Sequence, residues 1–106
     1  MLKVKIKDIV KKPGDYRDVE GTIVRKEKTQ RSVWREHALC TLTDETGSIL
    51  LNLWRDQINQ VNLGDTIRLK TAFVQKRKGS YQLSTWEEKI EVLKQGTLEK
   101  RSSEQT

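Results

Sequence analysis

Of the side chains in this sequence with the chemistry to make or break a bond, none stands in the company a reaction would need. Asp44 and Glu45 are adjacent carboxylates, but neighbours at a strand-to-turn junction point apart, and Asp44 suits a turn-forming role better than acid–base work. His37, the sole histidine, has no Ser or Cys partner at a telling spacing. Cys40, the sole cysteine, reads as a small core residue with no disulfide partner. One Cys and one His also exclude a cysteine-rich zinc site, and no Gly-rich phosphate loop occurs. The expectation is no catalysis, no metal and no cofactor.

What remains is aromatic and cationic. The run Asp44-Glu45-Thr46-Gly47 has the composition of a tight turn, and an alternating segment follows it. Ile49, Leu51 and Leu53 share one face of that strand, while Leu50, Asn52 and Trp54 share the other. The first face is core. The second then carries a tryptophan where water should be, as a base-stacking platform would; the competing reading is a tryptophan capping the core.

Trp86 lies on a strand face with Ser80, Gln82 and Ser84, close to the basic run Lys76-Arg77-Lys78-Gly79, which reads as a turn. Trp34 sits in a polar stretch, 25–36, where Arg25, Lys26, Lys28, Arg31 and Arg35 outnumber Glu27 and Glu36. That loop reads either as a phosphate-binding track or as a solvated hairpin, with Trp34 contacting bases or pinning the loop to the domain. Lys and Arg total 21 against 15 acids, a net charge of +6, which favours a polyanionic partner.

These residues need elements to hold them. The 106-residue chain is sized for one domain, assigned to 1–95, with a polar, disordered tail over 96–106. Ile6, Ile9 and Val10 have helical spacing in a short lead-in that Pro13-Gly14 breaks. Strands are expected over 19–25, with Gly21 marking a bulge or bend, then over 38–42, 48–54, 66–74 and 80–86. A short helix over 56–61, capped by Asp56, falls between the third and fourth. Residues 88–93 read as a further strand or as helix. Five short strands with one brief helix in that position match a Greek-key oligonucleotide/oligosaccharide-binding (OB) barrel, an all-β fold.

The motifs Asp44-Glu45-Thr46-Gly47-Ser48-Ile49, Leu53-Trp54, Leu63-Gly64-Asp65-Thr66-Ile67, and Lys78-Gly79 with Gln82-Leu83 resemble the archaeal single-stranded DNA-binding proteins. Those are similar in turn to single domains of replication protein A, and the likeness spans residues 3–93. It implies single-strand binding without catalysis, through aromatics in the cleft and basic residues in flanking loops. Trp54 matches the strand-three stacking position and Phe73 the strand-four one. Strict alternation from Ile67 puts Phe73 on the core phase, so its exposure requires a bulge between Leu69 and Phe73. Arg77 departs from the pattern, standing where many relatives have a third aromatic, and a cation there can stack or pair with phosphate. The Gly/Arg-rich or acidic tail of several relatives is also missing.

The resulting expectation is a sequence-tolerant single-stranded DNA-binding barrel contacting its ligand through Trp54, Phe73, Trp86, Asn52, Lys76, Arg77, Lys78, Trp34, Arg31 and Arg35. Its expected setting is the cytoplasm, at the nucleoid, among replication, recombination and repair partners, with no membrane segment. Two rivals stand beside it: a single-stranded RNA-binding barrel, and an assembly subunit docking on protein.

Overall fold

The computed structural model describes residues 4–10, 12–31 and 36–96. The first helix among the described residues is a single turn, α1 (Ile6–Ile9), whose two isoleucines are fully buried. Seven strands follow among the described residues: β1 (Gly14–Lys26), β2 (Gln30–Arg31), β3 (Glu36–Thr43), β4 (Ser48–Trp54), β5 (Thr66–Arg77), β6 (Ser80–Ser84) and β7 (Glu91–Lys94). A 3-10 helix, Arg55–Gln60, joins β4 to β5.

Five of these strands close on themselves in the order β1-β3-β4-β6-β5, with β1 pairing β5 to complete the barrel. Every neighbouring pair is antiparallel except β4 with β6, where Leu50 faces Gln82 and Leu51 faces Leu83 in parallel register. β7 adds to β5 beside β6, and β2 adds to β3. Closure removes the exposed edges an open sheet would present. The interior is filled by the alternating apolar residues of each strand, among them Val19, Leu42, Leu51, Ile67 and Leu83, all fully buried.

β1 is longer than the sequence pattern suggests, because it serves two partners. Gly14 to Thr22 pairs along β5, and Thr22 to Lys26 pairs with β3. Its register on β3 slips between Ile23 and Arg25, so the bulge sits at Val24 and not at Gly21. Gly21 has a different job: a Cβ there would lie 2.8 Å from both Leu42 Cγ and the Thr43 carbonyl, so only glycine permits this approach of β1 to β3.

Opposite this, β5 changes phase. Ile67 and Leu69 are buried, Lys70 and Thr71 are both exposed, and burial resumes at Ala72 and Val74. Facing Lys70 across the ladder is Asp18, with φ of 55°, so both strands kink together and the overall pairing register is kept. The kink is the irregularity that Phe73 requires, and it turns Phe73 outward.

Other boundaries also differ from the sequence pattern. β5 runs on through Lys76 and Arg77, so the turn is only Lys78-Gly79, with φ of 50° and 85°. Two positive φ values make the tight hairpin connection whose twist suits antiparallel strands. β6 stops at Ser84, leaving Trp86 beyond its end. The helix is of the tighter 3-10 type and starts one residue early; the Gln57 side chain, not Asp56, caps it by accepting the Trp54 N–H at 3.0 Å. Residues 88–93 resolve toward strand, as β7. Gly96, assigned to the tail, is buried against Gly64, and its N–H donates to Asp65 Oδ1 at 2.8 Å. Residues 97–106 lie outside the described residues.

Candidate nucleic-acid interface

A groove crosses the barrel face formed by β3, β4, β6 and the end of β5. Its broad part, about 440 Å³, is lined by Trp54, Arg55, Phe73, Gln75, Arg77, Ser84, Thr85 and Trp86. Trp54 is brought there by strict alternation along β4, the last residue before the chain turns into the 3-10 helix. Phe73 arrives through the β5 kink and stacks on Trp86, ring centroids 4.9 Å apart and planes 23° from parallel. Trp86 is 82% exposed, far outside the range for a core tryptophan.

Trp86 is held by its neighbours and not by a strand ladder. Gln57 Nε2 donates to the carbonyls of Thr85 and Glu87, at 3.0 and 2.8 Å, and the Thr85 hydroxyl donates to the Thr71 carbonyl at 2.6 Å. Gln60 repeats the device one step on, donating to the Glu88 carbonyl and accepting from the Ile90 N–H, both at 2.7 Å. Two glutamines of the 3-10 helix therefore fix the segment that presents Trp86.

Trp54 has company on both flanks of its strand. His37, its cross-strand partner on β3, lies 4.2 Å away between ring centroids, and the Arg77 guanidinium sits 5.4 Å from the indole centroid. Arg77 thus occupies the site as an exposed cation within cation–π range of an aromatic ring.

A narrower, more polar recess of about 160 Å³ adjoins the groove at Arg77 and runs to Lys28, Gln30 and Lys78. Its floor is a hydrogen-bonded row across three strands. His37 Nε2 lies 2.6 Å from Asn52 Oδ1, Asn52 Nδ2 donates to Gln82 Oε1 at 2.9 Å, and Gln82 Nε2 donates to Ser80 Oγ at 3.1 Å. An amide oxygen only accepts, so Nε2 carries the imidazole proton in this arrangement. Asn52 faces the groove as alternation requires, but its neighbours cover it to 1% exposure, and both ends of its amide are engaged.

The expected site residues divide accordingly. Trp54, Phe73, Trp86, Arg77 and Lys78 line the two connected cavities, and Asn52 lies beneath one of them. Lys76, on the opposite side of β5 from Arg77, instead lies over the Tyr81 ring at 5.8 Å. Arg31 is exposed on β2 and pairs with Glu36 at 2.9 Å, lining neither cavity. Trp34 and Arg35 lie outside the described residues. Lys26 leaves the basic track altogether: its Nζ donates at 2.7 Å to the carbonyls of Ile58 and Val61, closing the C-terminal end of the 3-10 helix.

His37, Gln75, Gln82 and Arg55 join the lining without having been singled out for it. Period-two alternation from Arg77 would have found Gln75, and the register opposite Trp54 would have found His37; Arg55, at φ of 50°, has no such signal. Cys40 is buried in the core, and burial pushes its thiol up to about 11, partly offset by Lys26. Among the described residues no three His, Cys, Asp or Glu side chains gather as a metal would require.

A family model described as "Single-stranded DNA binding protein Ssb-like, OB fold" matches residues 2–92. Among solved structures, a domain of replication protein A from Methanococcus maripaludis superimposes with a TM-score of 0.69 at 20% identity, over 89% of this chain and 98% of that one. No curated protein sequence matches the chain significantly.

Proposed function

Because the chain belongs to the Ssb-like family of OB-fold single-stranded DNA-binding proteins, we propose that the groove binds single-stranded DNA by stacking bases on aromatic side chains and neutralising phosphates with its cations. The observation that carries this reading is the exposed Trp86–Phe73 stack set beside Trp54 and Arg77 in one open groove. Contiguous aromatic surface left in water marks an interaction site, because covering it is favourable, and unstacked bases offer flat faces of matching size. Duplex bases are already stacked and cannot use the platform. The reading is one of binding and protection of strands exposed during replication, recombination or repair, at the nucleoid, and not of turnover.

The test is a titration of intrinsic tryptophan fluorescence with short single-stranded and blunt duplex oligonucleotides of one sequence. Strong quenching by the single strand and weak response to the duplex is the expected result; equal affinity at moderate salt would overturn it. Competition between poly-dT and poly-U in the same assay separates a DNA preference from an RNA one, since RNA-binding barrels use the same stacking.

A further inference from the structure

We propose that the polar recess beside the aromatic groove holds one base of the bound strand by its edge, and that it admits a pyrimidine but not a purine. The proposal rests on the single-strand-binding reading above and deepens it, naming the class of base at one position.

Three observations carry it. The first is chemistry. Where the groove offers rings, the recess offers amides: Gln82 and Gln30 line it, and Leu39 gives it a small apolar patch. Gln82 accepts one hydrogen bond at Oε1 from Asn52 and donates one from Nε2 to Ser80. Its amide therefore keeps one N–H and one lone pair, a donor and an acceptor with which to meet the edge of an unpaired base. The second is rigidity. The row His37, Asn52, Gln82, Ser80 spans β3, β4 and β6, donating in one direction throughout, so each bond polarises the next and Gln82 is held before any ligand arrives. The third is size. The recess has about 160 Å³, close to the ~150 Å³ cavity that takes a single benzene ring. One six-membered base fills it, whereas a fused two-ring base has to leave one ring outside, in the adjoining groove or in solvent.

The rim has the charge the backbone needs. Arg77 lines both recess and groove, and Lys28 and Lys78 stand at the recess, with Glu27 the single opposing charge. A nucleotide seated here has its neighbour on the aromatic platform and its phosphate among these cations.

The experiment uses the full chain and a dT oligonucleotide cut to the shortest length that still binds fully, so that no other register is open. A single dA is walked through it. The expected result is a loss of roughly tenfold at one position and little elsewhere, the usual scale for one well-made pair of base contacts. At that position N3-methylthymine, which keeps the ring but blocks its edge, should lose affinity as dA does. In Gln82→Met the N3-methylthymine penalty should shrink toward parity with dT, while the dA penalty, set by the size of the recess, should persist. A purine penalty spread evenly along the oligonucleotide, as stacking strength and backbone flexibility would give, overturns the proposal. So does N3-methylthymine binding as thymine does, a result on the unaltered protein that stands whatever Gln82→Met does to folding. Absence of any binding to the dT oligonucleotide would instead remove the single-strand reading itself.

Discussion

At the scale of single residues, the two groove tryptophans make different demands. Trp54 is half-buried, with His37 against its ring, so truncating it disturbs both the platform and its packing. Trp86 is 82% exposed and touches chiefly Phe73. Trp86→Ala should therefore weaken single-strand binding by about 1–3 kcal/mol, the range for losing one stacking aromatic. It should change unfolding free energy by no more than about 0.5 kcal/mol, as exposed substitutions generally do. Parallel oligonucleotide titrations and urea melts check both halves, and an unfolded Trp86→Ala protein would show the ring to be structural. In single Trp→Phe variants, loss of Trp86 should remove more of the binding-induced quenching than loss of Trp34, since Trp86 is already fixed by the glutamines of the 3-10 helix. Trp86 was legible from alternation as an outward residue, although the strand that suggested it ends two residues earlier.

At the scale of elements, the β5–β6 hairpin decides which cations matter. Four residues, Lys76 to Gly79, look like one basic turn in the sequence, yet only Lys78 and Gly79 make it, and Lys76 and Arg77 are strand residues on opposite faces. Turn type depends on backbone angles that lysine does not advertise, whereas Ser48–Trp54 was readable to the residue because turn chemistry and alternation agree there. Removing Arg77 and Lys78 together should lower the log–log salt slope of binding by about 1.4, at about 0.7 per single-strand phosphate contact. Lys76→Ala should leave it nearly unchanged. Equal slopes for the two variants, measured from affinities over a salt series, would mean that the groove face is not the phosphate track. Lys78 also sits at φ of 50°, a conformation Asn tolerates better than Lys. Lys78→Asn should accordingly raise the melting temperature by a degree or more while lowering the salt slope by about 0.7, an opposition of stability and affinity at one residue.

At the scale of the molecule, barrel closure was inferred from strand count and order, but the contacts that hold the ends in place join residues too far apart for any local pattern to show. Gly96 packs on Gly64, and Asp65 joins them by accepting from both Gly96 and Asn62. At the other end Asp44, readable as a turn former, does a second job that only the fold reveals. Its Oδ1 accepts from the Thr46 and Gly47 N–H groups and from the Thr46 hydroxyl, while Oδ2 accepts from the Ile6 N–H at 3.0 Å. One carboxylate thus ties the β3–β4 turn to α1, which seals the barrel with Ile6 and Ile9. Partial burial raises its pKa, but the Thr46 hydroxyl and the N–H donors of Ile6, Thr46 and Gly47 outweigh that and hold the group below its ordinary value of 3.8. A carboxyl more acidic in the folded state contributes fully above the ordinary value and loses that contribution as pH falls through the lowered one. Melting temperature should therefore drop on acidification below about pH 4, and part of the drop should belong to this latch. Asp44→Asn keeps the shape and removes the charge, so it should be less stable at pH 7 by about 1–3 kcal/mol, the scale of hydrogen bonds to a charged group. Below pH 4 the gap between the two proteins should narrow, because protonation makes the wild-type side chain as neutral as the substitute. Melts from pH 7 down to pH 2.5 check this, and a gap that stays constant across the series would place the acid sensitivity in other carboxylates.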